Sequence, residues 1–161
     1  MTRLFCLSLV TAILCGAWIL LSNVLGLLSW AGFAGCTAFF AAGTGGARAL
    51  KSALVTVSSG IVWGMVIVLI CARSPLPHTD AWMTALVTFV LCIQSKCKPF
   101  SLIPGAFIGC FCVFAANGAW LPLAPSLILG ACLGWLCESS GGWLYTLWRK
   151  RKNIDKYDRR C

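Results

Sequence analysis

Eleven cysteines, one histidine and four acidic residues are the side chains of this 161-residue sequence that suit metal binding or acid–base chemistry. A structural zinc site uses paired Cys-x-x-Cys motifs or histidines, and neither occurs around Cys110 and Cys112 or around Cys92 and Cys97. Most of the cysteines lie inside apolar runs, where cysteine behaves as a small apolar residue. We therefore expect no metal and no cofactor, with copper or redox handling as the alternative left open.

Glu138 is the one carboxylate within or beside an apolar run, and an intramembrane carboxylate is a candidate functional group. The segment 139–142, Ser-Ser-Gly-Gly, predicts instead that the helix loosens there and that Glu138 reaches interfacial water. His78 lies in a loop near Asp80, where a histidine is usually solvated. The sequence has no Ser-His-Asp order, two-histidine motif or phosphate-binding glycine loop, so we expect no catalytic residue and no enzyme.

The elements that must position these side chains are strongly apolar. Hydrophobic residues make up 60% of the chain and charged residues 11%, whereas a soluble domain carries about a quarter charged residues. This apolar excess is too large to bury inside so small a globule. We predict an all-α integral membrane protein with six transmembrane helices, of which the fourth and fifth runs are short for a bilayer. The runs span residues 4–22, 25–42, 53–72, 81–93, 102–116 and 121–136.

The positive charges predict the orientation, because lysine and arginine in short loops stay on the cytoplasmic side. With six crossings and both termini in the cytoplasm, twelve of the thirteen cations lie inside and only Arg73 lies outside. Residues 1–148 then form one transmembrane domain and residues 149–161 a basic cytoplasmic tail on anionic lipid. The net charge of +9 is explained by this topology, so we expect no nucleic-acid partner. The twelve are Arg3, Arg48, Lys51, Lys96, Lys98, Arg149, Lys150, Arg151, Lys152, Lys156, Arg159 and Arg160.

An internal similarity appears when the sequence is shifted by 74 residues, which superimposes segment 31–42 on segment 105–116. The same shift, without a gap, pairs Ser52 with Ser126 and Gly60 with Gly134. Chance similarity between apolar segments is the competing explanation. The two halves would be residues 1–74 and 75–148, approximately. Because three helices are an odd number of crossings, the second half would be inverted relative to the first, as in many transporters.

Small residues four apart recur in the matched helices and predict close helix packing, which in lipid depends on backbone approach. The predicted packing residues are Ala31, Gly60, Gly64, Gly105, Gly130 and Gly134. We expect the second and fifth helices to cross centrally through their glycine faces and to line a substrate path. The predicted path residues are Phe33, Gly35, Cys36, Phe107, Gly109, Cys110, Gln94 and Asn117.

The run LGLLSWAGFAGCTAFFA at 25–41, with CIQSK at 92–96 and PGAFIG at 104–109, resembles the YcdZ-like bacterial inner-membrane proteins, a family of unknown function. The likeness extends from the first helix to about Trp143, and the basic tail that follows is particular to this sequence. The resemblance implies a multi-pass protein of the bacterial cytoplasmic membrane. It brings no substrate, cofactor or catalytic residue.

These observations favour a channel or facilitator for a small solute or ion. The chain has no buried charge pairs of the kind expected in an ion-coupled pump. Because six short helices enclose little space, we expect a homo-oligomer. The alternative is a non-transporting accessory or scaffold subunit, and a water-accessible crevice or a dry, packed centre would distinguish the two.

Overall fold

The computed structural model describes residues 2–158, with side chains described through Arg151. This part of the chain is all-helical. Its helices are α1 (Arg3–Leu25), α2 (Ser29–Ala41), α3 (Gly46–Arg73), α4 (Thr79–Gln94), a 3-10 turn (Lys98–Phe100), α5 (Ile103–Ala115) and α6 (Trp120–Asp158).

Local backbone chemistry places the ends of the shorter helices. Gly26 ends α1 in the left-handed conformation (φ 65°), and the N–H of Leu27 donates to the carbonyl of Ser22, as in a Schellman motif. Asn117 (φ 49°) ends α5 in the same way, with the Gly118 N–H donating to the Val113 carbonyl. The continuous apolar run 25–42 therefore contains the end of α1, a connecting segment and a short helix.

Among the described residues, three helices are long and apolar enough to cross a membrane: Arg3–Leu25, Gly46–Arg73 and, within α6, Trp120–Arg151. At 1.5 Å per residue, the 28 residues of α3 extend about 42 Å. The 13-residue helices α2 and α5 extend only about 20 Å, and the 16-residue α4 about 24 Å. The six apolar runs thus form three full-length and three short helices.

The expected loosening of the last helix after Glu138 is wrong. Helix α6 continues without interruption through 139–142 to Asp158, because its backbone hydrogen bonds are satisfied along the helix whatever the local glycine content. A Cβ on Gly141 would lie 2.9 Å from the Cα of Leu7, so this glycine is where α1 packs closely on α6.

The helices pack in parallel pairs, α2 on α6 and α5 on α3. Along α2 and α6, the Leu28 N–H donates to Ser126 Oγ at 2.9 Å, and further along Phe39 packs on Gly134. Contacts between α5 and α3 progress in the same sense, from Gly105 to Val113 on one helix and from Thr56 to Gly64 on the other. Each short helix is therefore held mainly by a long helix that is distant in sequence.

These contacts define two ends of the bundle. At the first end, Glu138 lies near the start of α1, the end of α2 and the start of α3, and the 3-10 turn lies beside the first turns of α3. We call this the basic end, because it carries Arg3, Arg48, Lys51 and Lys98. At the far end, the α5–α6 turn lies against the last third of α3, where Gly118 approaches Val68. Successive helices α1 to α6 run alternately between the two ends.

Candidate functional site

Gly35 and Gly109, central to the predicted path, lie in helix contacts. A Cβ on Gly35 would meet the Leu127 carbonyl oxygen of α6 and come within 2.9 Å of the Ala131 nitrogen. A Cβ on Gly109 would meet the Val57 carbonyl oxygen of α3 and come within 3.0 Å of the Ile61 nitrogen. The glycine faces of α2 and α5 therefore pack on α6 and α3 instead of crossing each other, and backbone fills the space in front of both glycines.

The glycines predicted to pack helices lie at close contacts too. Gly60 of α3 faces the Ala106 carbonyl of α5, and Gly130 of α6 faces the Gly32 carbonyl of α2. Gly64 packs on the side chain of Val113, and Gly134 on that of Phe39. Of the remaining two, Gly105 faces the Thr56 hydroxyl and Ala31 is fully buried.

The other predicted path residues of α2 and α5 divide between the surface and the interior. Phe33 and Phe107 are exposed, at 37% and 39%, and belong to stripes of exposed side chains on the outer faces of their helices. Cys36 and Cys110 are buried. The α2 stripe is Phe33, Thr37 and Phe40, and the α5 stripe is Phe107, Phe111 and Phe114.

Gln94 forms a polar contact between α3 and α4. The Ser59 hydroxyl donates to Gln94 Oε1 at 2.9 Å, and Gln94 Nε2 is buried without a hydrogen-bond partner. Ser59 lies 13 residues after Gly46, about 20 Å along α3, so this contact is near the middle of a 42 Å helix. Asn117 is at the other end of the molecule, exposed in the α5–α6 turn.

Glu138 has a structural partner that sequence reasoning missed. Its Oε2 accepts a hydrogen bond from the Gly46 N–H at 2.7 Å, and its other oxygen lies beside Gly45. Helix α3 has no side-chain cap of its own, because its N-cap residue is Gly45. The half-buried carboxylate of α6 therefore caps α3 and complements the positive end of its dipole. The available signal was the segment 43–46, Gly-Thr-Gly-Gly, at the start of a long helix. This segment provides no capping side chain at the N-cap position, which is Gly45.

The cysteines and the histidine form no recognisable metal centre in the described part of the chain. The ten described cysteines are free, and no three cysteine, histidine or acidic side chains there are grouped so as to hold a metal. His78 adopts the left-handed conformation (φ 61°) at the N-cap position of α4. Cys161 lies outside the described residues.

Two open clefts lie at the basic end. The first has a volume of about 300 Å³ between α1 and α6, and Arg3, Leu7 and Glu138 are among its lining residues. The second has a volume of about 320 Å³ and lies between α3 and the 3-10 turn. We call the second the basic cleft. Its lining residues are Arg48, Lys51, Ser52, Val55, Lys98 and Pro99.

Long apolar helices, apolar side chains exposed over much of the bundle and cations gathered at one end define an α-helical membrane protein. The chain belongs to the family described as "Protein of unknown function (DUF1097)", whose model matches residues 8–142. The resemblance predicted from the sequence is thereby confirmed.

The curated relatives agree with this assignment. The chain is 43% identical over 145 residues to "Inner membrane protein YcdZ" of Escherichia coli strain K12, covering 89% of each chain. It is also 43% identical to the protein of the same name in Salmonella typhimurium strain LT2, over 89% of this chain and 91% of the relative. Identity to "Uncharacterized protein YahC" of Escherichia coli strain K12 is 28%, over 88% of this chain and 92% of the relative. No solved structure matches the chain.

Proposed function

We propose that this chain is a channel or facilitator for a small neutral or weakly charged solute in the bacterial inner membrane. The observation that carries the proposal is the half-buried Gln94 side chain, whose Nε2 atom is buried without a hydrogen-bond partner while its Oε1 accepts from Ser59. A buried amide N–H group without a partner costs about 1–3 kcal/mol, and more nearly the upper figure in hydrocarbon. A polar solute or water passing between α3 and α4 would supply the missing acceptor.

The path we propose follows the α3–α4 contact, because the glycine faces are filled by backbone. Val55, which lines the basic cleft, lies four residues before Ser59, so the two side chains are one turn apart on one face of α3. The Ser59–Gln94 pair therefore lies one turn deeper in the bundle than the basic cleft. Of the path residues predicted from the sequence, this proposal uses Gln94.

The proposed topology has six crossings, with the basic end and both termini in the cytoplasm. The alternating directions of α1 to α6 support it, as does the collection of Arg48, Lys51 and Lys98 at one end. Helices α2, α4 and α5 are shorter than a bilayer, and each continues into non-helical segments. In the segment before α2, the Leu28 N–H donates to Ser126 Oγ of α6 at 2.9 Å, which satisfies this backbone group inside the protein.

We further propose that the two halves are inverted repeats, with one change to the alignment. A shift of 74 residues relates Gly32 of α2 to Ala106 of α5, and a shift of 70 relates Gly60 of α3 to Gly130 of α6. Gly32 contacts Gly130, and the equivalent residues Ala106 and Gly60 contact each other. By the same two shifts, the Phe39–Gly134 contact is equivalent to the observed Val113–Gly64 contact. The contacts of Gly35 with Leu127 and Ala131 are likewise equivalent to those of Gly109 with Val57 and Ile61.

The shift therefore changes from 74 in the short helices to 70 in α3 and α6. Ser126 then corresponds to Thr56, and both hydroxyls bond to the carbonyl four residues earlier in their own helix. The ungapped pairing of Ser126 with Ser52 is displaced by one helical turn in this alignment. One added turn before Thr56 accounts for the difference, since α3 has ten residues before Thr56 and α6 has six before Ser126.

At three positions the proposed repeat pairs a polar side chain with an apolar one, which makes the two ends of the molecule different. Glu138 at the basic end corresponds to Val68 at the far end, and each lies against the turn that precedes a long helix. Ser59 corresponds to Leu129 and Gln94 to Leu20 by the same two shifts. The polar entry is thus confined to the cytoplasmic half of the proposed path.

We include a homo-oligomer in the proposal, because one copy leaves the aromatic stripes of α2 and α5 exposed. Native mass spectrometry of the detergent-purified chain would measure the number of copies. The proposal assigns no reaction and no cofactor to the chain.

The test is the permeability of proteoliposomes measured by stopped-flow light scattering, with water, glycerol, urea and acetate as probes. We expect the wild-type chain to accelerate at least one probe over empty liposomes. Gln94→Leu is expected to lower that protein-dependent rate at least fivefold. Thr146→Val is the matched control, since Thr146 is an exposed residue of α6 whose hydroxyl donates to the Gly142 carbonyl of its own helix, and it is expected to stay within twofold of wild type.

A non-transporting scaffold subunit is the second candidate, favoured by the backbone-to-backbone contacts at Gly35 and Gly109. Such a protein would be dry and fully packed along these contacts. Wild-type liposomes that match empty liposomes for all four probes would refute the facilitator and favour the scaffold. Equal rates for wild type and Gln94→Leu, with transport intact, would refute the proposed path alone.

A further inference from the structure

The basic cleft combines three cations from two parts of the chain that are far apart in sequence. Arg48 and Lys51 come from the first turns of α3, and Lys98 comes from the 3-10 turn on the opposite wall. All three side chains are exposed and converge on one opening of about 320 Å³. Like charges gathered around one opening repel each other unless an anion lies between them.

No carboxylate of the described side chains neutralises this cluster. Glu138 is directed to the Gly46 N–H, and Asp80 is in the first turn of α4 near the far end. The side chains of Arg48, Lys51 and Lys98 are exposed at the rim of the cleft. Helix packing therefore does not require these charges.

The order of side chains along the cleft matches the order of groups in a phospholipid. Val55 lies four residues beyond Lys51 and seven beyond Arg48, so the apolar wall is about 6–10 Å deeper along α3 than the charges. Pro99 adds apolar surface on the other wall, and Ser52 adds a hydroxyl. A phosphate would meet the charged rim, and the glycerol and first acyl carbons would lie against Val55 and Pro99.

We infer that the basic cleft binds the phosphate headgroup of an anionic phospholipid. Arginine provides a two-pronged donor for phosphate oxygens, and the two lysines provide compact positive charges. Basic pockets between membrane helices on the cytoplasmic side suit such headgroups. A free phosphate ion shares the charge chemistry but would gain nothing from the apolar wall, which is why we assign the lipid.

The test is a lipid titration of the purified full-length chain in detergent, read as thermal stabilisation and as retained lipid in native mass spectrometry. Phosphatidylglycerol is expected to bind, and phosphatidylcholine and inorganic phosphate are not. Each cation removed is expected to weaken binding about fivefold, so Arg48→Gln/Lys51→Gln/Lys98→Gln loses about a hundredfold. Lys96→Gln removes a charge from the same loop outside the cleft and is expected to keep binding within twofold of wild type.

Since the triple variant also removes charges that set topology, a second variant keeps every charge. Val55→Trp fills the apolar end of the cleft and is expected to weaken phosphatidylglycerol binding at least tenfold. Normal phosphatidylglycerol binding by this variant and the triple variant would overturn the inference. Stabilisation by inorganic phosphate equal to that by phosphatidylglycerol would assign the cleft to a free anion instead and overturn it equally.

The basic tail is the competing location for lipid, and it has its own arm of the test. Arg149→Gln/Lys150→Gln/Arg151→Gln removes three cations from the end of α6 and leaves the basic cleft unchanged. We expect this variant to bind phosphatidylglycerol within threefold of wild type. A loss confined to the tail variant would place the lipid on the tail and refute the cleft. This experiment does not depend on whether the chain transports a solute.

Discussion

Replacing Gly35 by alanine tests the contact that fixes α2 on α6. The added Cβ would lie 2.9 Å from the Ala131 nitrogen and 3.0 Å from the Leu127 carbonyl carbon, and closer still to the Leu127 oxygen. Comfortable contacts of this kind are about 3.5–4.0 Å, so the two helices would have to separate by about 1 Å. All three atoms belong to helix backbone and cannot rotate away.

The expected size of the effect follows from two opposing contributions. Overpacking of this kind costs about 1–3 kcal/mol, while alanine instead of glycine in a helix gains about 0.5–1 kcal/mol. We therefore expect Gly35→Ala to lower the free energy of unfolding by about 1 kcal/mol, and by at most about 2.5 kcal/mol. Gly16→Ala is the matched control, because a Cβ on Gly16 of α1 has no atom within 4 Å, and it is expected to be neutral or slightly stabilising.

The assay is reversible unfolding of the purified chain in mixed micelles, followed by circular dichroism as the fraction of denaturing detergent rises. Gly109→Ala is expected to match Gly35→Ala within about 0.5 kcal/mol, because its Cβ would meet the corresponding backbone atoms of α3 at nearly the same distances. Equal stability of Gly35→Ala and Gly16→Ala would refute the tight α2–α6 contact. A large difference between Gly35→Ala and Gly109→Ala would contradict the proposed repeat.

Two further predictions concern the basic end and the topology. Glu138→Ala removes the cap from the Gly46 N–H, so it is expected to lower the free energy of unfolding by about 1–2 kcal/mol and to speed amide exchange in the first turn of α3. Glu138→Gln is expected to have a smaller effect. Unchanged exchange in that turn would contradict the capping role. In a background otherwise free of cysteine, the native Cys97 is expected to resist a membrane-impermeant maleimide in spheroplasts and to react with it in inverted vesicles. The cysteine of Leu76→Cys is expected to react in spheroplasts and to resist in inverted vesicles. The reverse labelling pattern would overturn the six-crossing arrangement.

Composition and charge were sufficient to predict the class of protein. An apolar excess that no small globule can bury predicted membrane helices, and residues 2–158 are all-helical with three full-length candidate spans. The resemblance to an inner-membrane family was confirmed by comparison with its members. These properties depend on sums over many residues, so a single misjudged position does not change them.

Helix lengths and partners were harder to predict. The run 25–42 is continuously apolar, and hydropathy alone does not reveal that Gly26 ends one helix and Ser29 begins another. The close spacing of small residues predicts helix contacts but does not specify a partner, since any helix can approach a glycine. The contacts of α2 with α6 and of α5 with α3 join positions that are far apart in the chain.

The amino-acid sequence by itself determined the class, a membrane protein of apolar helices, and the short segments that carry positive charge, because both depend on the residue types alone. Only the tertiary structure decided that Glu138 caps α3, that Gln94 meets Ser59 and that Lys98 joins Arg48 and Lys51. Each of these requires helices separated by dozens of residues to pack at one particular height, and packing height is fixed by the shapes of both surfaces together.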